Sequence, residues 1–122
     1  MANKFGSPPE TWELAKTQAI DALTQRAKVR GMMPYSELVQ KIDAVKLEAH
    51  DPRLSELLMD ISIDEEAKGR GMISALVVHK MGDMQPGTGF FELAKRLGKD
   101  TSDILACWIT EVKRVHSIWS RQ

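Results

Sequence analysis

A single cysteine, Cys107, stands in the 122-residue chain. No internal disulfide can form, and no zinc site can be built from cysteines. In the stretch ILACWI this thiol reads as a small buried hydrophobe rather than a reactive group. An excess of charge is also lacking. Lys+Arg and Asp+Glu number 17 each, whereas a chain held to nucleic acid by phosphate neutralisation is usually basic. A balanced chain can bind phosphates only with its cations gathered on one face. No apolar run reaches the ~20 residues needed to span a bilayer. The N-terminal MANKFGSPPE has no apolar signal core. A cytoplasmic location without membrane association is therefore expected. Internal repeats and low-complexity tracts are missing too.

Catalytic patterns are sparse. His50, His79 and His116 are scattered, and no two share a helical turn with a glutamate between them. GRGM and QPGTGF lack the spacing and the lysine of a phosphate-binding loop and read as backbone turns. Glu65 and Glu66, with Lys80 and Asp83, hold the ingredients of a magnesium-dependent nuclease site. Adjacent glutamates on a helix point in different directions, however, so a solvated surface face is the preferred reading. No catalytic residue, metal or cofactor is expected.

What is present suits one globular domain. The chain is 43% apolar and 28% charged, and it is long enough to bury a core without staples. Ser7-Pro8-Pro9-Glu10 is a helix start with a capping box. Trp12, Ala15, Ala19, Ala22, Leu23 and Ala27 then recur at helical spacing. This helix should end near Arg30, with Gly31 in the left-handed position. PYSELVQKI predicts a short second helix. Asp51-Pro52 starts a third, with Leu54, Leu57, Leu58 and Ile61 on one face, running to about Lys68. Ile73 to Val78 is apolar without alternation and predicts a buried strand. MGDMQPGTG predicts a long hairpin turn, after which Gly89-Phe90-Phe91 forms a return strand or opens the next helix. FFELAKRLG is a short helix closed by Gly98. A final helix carries Ile104, Leu105, Trp108, Ile109, Val112, Val115 and Trp119.

Three helices followed by a hairpin is the order of a winged helix-turn-helix. The expected class is α+β, mostly α, with one β-hairpin. The winged-helix-like core spans about residues 8–91 and a C-terminal helical extension about 90–120. PYSELVQKI is similar to the Tyr-Gly-Glu-Ile-Ala helix of the alkylguanine-DNA alkyltransferases and their non-catalytic alkyltransferase-like relatives. ISALVVHKMGDMQPGTGF resembles the strand and wing of that family. The resemblance covers roughly Met33 to Phe91. It implies a winged-helix architecture, with the second and third helices as the helix-turn-helix. The family's reactive cysteine lies in a Pro-Cys-His-Arg segment, and the matching positions here are Ile73, Ser74, Ala75 and Leu76. Ser74 replaces the cysteine with no base beside it, so the resemblance carries no chemistry. EEAKGRGMISALVVHK with PGTGFFELAKRLG also looks like a pattern of small bacterial proteins, which implies a bacterial or phage origin.

Full insertion of the third helix into a groove is disfavoured by its charge. Pro52 to Lys68 holds Arg53 and Lys68 against Glu56, Asp60, Asp64, Glu65 and Glu66, and acidic groups beside phosphates are repelled. The hairpin flanks are better candidates. The residues expected to touch nucleic acid are Arg53, Lys68, Arg70, His79, Lys80, Lys95 and Arg96. The resulting reading is a non-catalytic, nucleic-acid-binding regulatory or accessory protein. The alternative is a protein-interaction module, a small subunit of a larger assembly, or a homodimer formed through the terminal helices. Met32, Met33, Met81 and Met84 at element ends would suit partner binding. Trp12, Trp108 and Trp119 become core if the first and last helices pack together, and an exposed Trp119 would mark an interface.

Overall fold

The computed structural model describes residues 9–49, 51–79 and 88–120. The elements are α1 (Pro9–Lys28), β1 (Met33–Pro34), α2 (Tyr35–Lys41), α3 (Pro52–Ala67), a 3-10 helix (Ile73–Leu76), β2 (Val77–Val78), α4 (Thr88–Arg96) and α5 (Ile104–Ser120). The protein is thus α-rich, with five helices and a small two-stranded sheet among the described residues.

Helix α1 buries Trp12, Ala15, Ala19, Leu23 and Ala27 along one stripe, the spacing expected of an amphipathic helix. The capping box before it lies largely outside the described residues. Its end differs from expectation. Arg30, not Gly31, takes the left-handed conformation, at φ 56°. The N–H of Gly31 bonds back to the Arg26 carbonyl at 3.0 Å, and that of Arg30 to the Ala27 carbonyl at 3.0 Å. This pair of bonds is the Schellman closure, with Arg30 one place earlier than the glycine. Gly31 is needed for space instead, because a Cβ there would lie 2.5 Å from Arg26 Cδ. Arg26 is held in place by the Met32 carbonyl and by Glu37 of α2. Helix α3 starts as expected. The Asp51 side chain accepts a hydrogen bond from the Arg53 N–H, and Pro52 occupies the first turn.

The main correction concerns residues 73–78. The apolar run is not one strand. Its first four residues form the 3-10 helix and only Val77 and Val78 are extended. β2 pairs in parallel with β1, Met33 against Val77 and Pro34 against Val78. Gly89, Phe90 and Phe91 open α4, the second of the two alternatives, so no hairpin return strand follows β2 among the described residues. Of the expected turn MGDMQPGTG, residues 81–87 lie outside the described residues, and Thr88 and Gly89 belong to α4. The physical reason is visible in the hydrogen bonds. Residues Met72 to Val78 are buried, and buried backbone must find partners. The Met72 N–H donates to Glu111 Oε1 at 3.3 Å, and the Ser74 N–H to Ser62 Oγ at 3.0 Å. The Ala75 carbonyl accepts from Trp108 Nε1 at 2.8 Å. Side chains of α3 and α5 take the place of a neighbouring strand, and the segment is free to coil.

A single large core joins α1, α2, α3, the 3-10 helix and α5, with Leu23, Leu38, Leu57, Ile61, Leu76 and Val115 among its members. A smaller cluster under α4 contains Met72, Ala75, Phe90, Leu93, Ala94 and Cys107. Val112 packs against both. Helix α5 therefore shares the core with α1 through Val115. Trp12 is buried, and Trp119 and Trp108 are half-buried against the two clusters. Met33 is core rather than surface. The Nε2–H of buried His116 donates to the Gly31 carbonyl at 2.9 Å and fixes the end of α5 to the link before β1.

Two backbone positions test this account. Gly71 has φ +86°, and a Cβ there would sit 3.1 Å from Val115 Cγ2. Gly71→Ala is expected to destabilise the fold by about 2 kcal/mol, combining left-handed strain with crowding of α5. Arg30→Gly should stabilise it by about 1 kcal/mol by relieving the same strain at an exposed site. Urea unfolding midpoints of the two variants should move in opposite directions.

Candidate functional site

A pocket of about 290 Å³ lies between α2, α3 and α4. Leu58, Met59, Phe90 and Leu93 give it apolar walls, and Tyr35, Ser55, Ser74 and His79 supply its polar groups. Each side chain is placed by a feature already described. Tyr35 opens α2 directly after β1. His79 follows β2, its parallel partner. The pairing of these two strands brings the rings of Tyr35 and His79 together, with centroids 4.9 Å apart and planes tilted by 37°. His79 is exposed at this edge.

Ser74 lies in the 3-10 helix and is only 6% exposed. Ser62 of α3 accepts from its N–H, and the Ser62 hydroxyl donates to Ser74 Oγ at 2.7 Å. The remaining valence of this pair is the hydroxyl hydrogen of Ser74, beside the pocket it lines. Ser74 is the position where the resemblance places a reactive cysteine. Among the described residues its side-chain hydrogen bonds are with a second serine rather than with a histidine or carboxylate. It can serve as a hydrogen-bond donor. Nothing in the serine's sequence context marked Ser62, 12 residues away, as its partner.

The residues expected to touch nucleic acid do not form one surface. Arg53 reaches back over the start of α3, bonded to both Asp51 carboxylate oxygens and to the Lys46 carbonyl at 3.0 Å. The Arg53 side-chain hydrogen bond and backbone N–H hold the Asp51 carboxyl below its ordinary range. Lys68 and Arg70 lie at the other end of α3, ~24 Å away for a 16-residue helix. Arg70 bonds to the fully buried carboxylate of Glu65, and its guanidinium stands 5.3 Å from the centre of the Trp119 ring. Lys68 is 3.9 Å from the same carboxylate. These two cations belong to the junction of α3 with α5. His79 lies on the pocket, and Arg96 reaches its edge, with Nη1 3.9 Å from Met59 Sδ. Lys95 is exposed on α4. Lys80 lies outside the described residues.

The acidic groups of α3 also behave differently from a solvated face. Asp60 accepts from Trp12 Nε1 at 3.0 Å, and Asp64 pairs with Lys16 at 2.9 Å. Glu66 pairs with Lys99 and with Arg114, the latter at 2.9 Å. Buried Glu111 stands 3.7 Å from both of these cations. The acids of α3 thus point at α1, at the α4–α5 link and at α5. The positions that α3 leaves exposed are Pro52, Ser55, Ile63, Ala67 and Lys68, which carry no negative charge. Only Glu65 is fully buried; the Asp64 side chain is still about half exposed beside Lys16. Glu65 and Glu66 turn to different partners, as adjacent helical residues must. Among the described residues no three His, Cys, Asp or Glu side chains converge on a metal position. Asp83 lies outside them.

Cys107 is buried. Burial, with the nearby Glu111 carboxylate, pushes its thiol above the ordinary range, which suits packing rather than chemistry. No described helix is long and apolar enough to cross a membrane. Comparison with family models, curated proteins and solved structures finds no match.

The Glu66 cluster has a pH signature. Burial alone would raise its carboxyl, but hydrogen bonds and charge from Lys99 and Arg114 outweigh that and hold it below the usual value. A depressed folded value means that its stabilisation is present above the unfolded value near 4.5 and is lost as pH falls through the lower, folded one. Glu66→Gln should therefore destabilise the protein at neutral pH and leave a shallower loss of stability on acidification below about pH 4.5. Denaturant titrations across this range will show it.

Proposed function

We propose that the chain is a non-catalytic nucleic-acid-binding protein of winged-helix-like arrangement, with an accessory or regulatory role. It contacts its ligand at the mouth of the pocket between α2, α3 and α4. The observation that carries this reading is the Tyr35–His79 ring pair at the pocket beside α4, which bears Lys95 and Arg96. Aromatic faces stack on bases irrespective of sequence, and adjacent cations neutralise phosphates. The Ser74 hydroxyl adds a donor within the same pocket. Order along the chain supports the winged-helix part. A short helix, a longer one, and an extended pair precede the segment where a wing would stand. In this reading α3 is chiefly a scaffold, and only its first turns, with Ser55 and Arg53, approach the ligand. Lys80 stays a candidate because it follows His79. Lys68 and Arg70 are assigned to the α3–α5 junction instead.

Fluorescence anisotropy with labelled single-stranded and duplex DNA tests this directly. Affinity should fall about tenfold or more between ~50 and ~200 mM salt. The double variant Lys95→Ala, Arg96→Ala should weaken binding several-fold and flatten that salt dependence. His79→Ala should weaken single-strand binding with the salt slope unchanged. Arg70→Ala should lower the melting temperature without changing the affinity of the folded protein. An unchanged signal with both probes at micromolar protein in low salt would sink the proposal.

A further inference from the structure

The interior of the pocket between α2, α3 and α4 has a chemistry of its own, distinct from that of its mouth. At about 290 Å³ it lies at the small end of ligand sites, with room for a single substituted ring rather than a drug-sized molecule. None of its lining residues is Asp, Glu, Lys or Arg. The enclosed part of a ligand is therefore uncharged, since a charge taken out of water without a partner is costly. Leu58, Phe90 and Leu93 are buried wall residues, and the Phe90 ring suits packing against a second ring.

Two polar features specify the occupant. Ser74 is 6% exposed, the most buried of the polar residues at the pocket. Its Oγ accepts from the Ser62 hydroxyl at 2.7 Å, and Ser62 Oγ accepts from the Ser74 N–H at 3.0 Å. The hydroxyl hydrogen of Ser74 is left with no acceptor among the described residues. A buried donor of this kind gains most from an acceptor that a ligand brings in. The second feature is at the edge. Arg96 is exposed and makes no ion pair with a described residue. Its Nη1 stands 3.9 Å from Sδ of Met59, which lines the pocket. A guanidinium in that position takes a carboxylate.

We propose that this pocket binds a small aromatic acid, with one ring enclosed against Phe90, an oxygen at the inner end accepting from Ser74, and a carboxylate at the outer end on Arg96. Binding of the acid goes beyond the nucleic-acid reading and does not depend on it. Its consequence rests on that reading: a bound acid occupies Arg96 beside the Tyr35–His79 edge, so it competes with nucleic acid and places the site under the control of a small molecule.

Amide chemical shifts of the isotope-labelled full chain, titrated with para-hydroxybenzoate in the absence of nucleic acid, read the outcome. Shifts at Ser74, Phe90 and Leu93 should saturate with a dissociation constant of ~0.1–2 mM, the range that about ten non-hydrogen atoms support. Benzoate, which lacks the inner oxygen, should bind about fivefold more weakly. Ser74→Ala should bring para-hydroxybenzoate down to the affinity of benzoate. Benzoate itself should bind that variant as it binds the parent, which shows the pocket still folded. Arg96→Ala should weaken both acids several-fold and leave para-hydroxybenzamide, which has no carboxylate, unchanged. No saturable shift up to ~10 mM acid overturns the proposal. Binding that neither Ser74→Ala nor Arg96→Ala alters overturns it equally. A deoxymononucleotide that saturates the same amides where the aromatic acid does not gives the pocket to nucleic acid and overturns it too. Saturable binding of the acid by a chain that binds no DNA supports this proposal and counts only against the nucleic-acid reading.

Discussion

The buried segment from Met72 to Val78 is the constraint on which the rest of the structure depends. It is apolar enough to be core, yet every residue in it brings an N–H and a carbonyl that water cannot reach. A strand in a wide sheet would satisfy them through neighbours. Here there is one two-residue partner, β1. Glu111, Ser62 and Trp108 supply three further partners from two helices. That requirement fixes the rotation of α3 and α5 about the segment. Turning either helix would leave a buried backbone group unpaired, at a cost of about 1–3 kcal/mol. The parallel β1–β2 pair and the Tyr35–His79 contact follow from the same placement.

Once α3 is fixed in this way, its charged residues have only inward and lateral directions to take. Trp12 and Lys16 meet it from α1, Lys99 from the α4–α5 link and Arg114 from α5. A helix with five acids and few bases looks in isolation like a solvated or repelling surface. Packed, three of its acids, Asp60, Asp64 and Glu66, are points at which α1, the α4–α5 link and α5 attach. The polar groups with least surplus pairing gather near its end, where Glu65 Oε1, Arg70 Nε and Trp119 Nε1 are buried without a partner among the described residues.

Much of the fold could be read directly. The Asp51-Pro52 start, the stripe of Leu54, Leu57, Leu58 and Ile61, and the burial of Cys107 are local facts of spacing and capping. The coiling of Ile73 to Leu76 could not be read, because its cause lies in side chains far away in the chain. The pocket was equally hidden. Ser62 and Ser74 are unmarked in sequence, and Tyr35 and His79 are 44 positions apart. Among the expected contact residues, Arg53 and Arg70 stand out in the sequence by charge alone. The carboxylates that engage them, Asp51 and Glu65, show only when the turns that bring them together are known.

By itself the sequence determined which segments are helical, where α3 begins, which faces are apolar, and that no disulfide staples the chain. Those properties depend on neighbours within a turn or two, so the covalent order suffices. Tertiary structure alone decided that the central apolar run is mostly a 3-10 helix and that its short strand pairs in parallel with β1. It also decided that Glu65 is buried, that Asp60, Asp64 and Glu66 engage partners on other elements, and that Arg53 and Arg70 lie at opposite ends of α3. In each case the deciding partner is a long-range hydrogen bond or ion pair. Its formation depends on how the helices pack, and no local pattern encodes it.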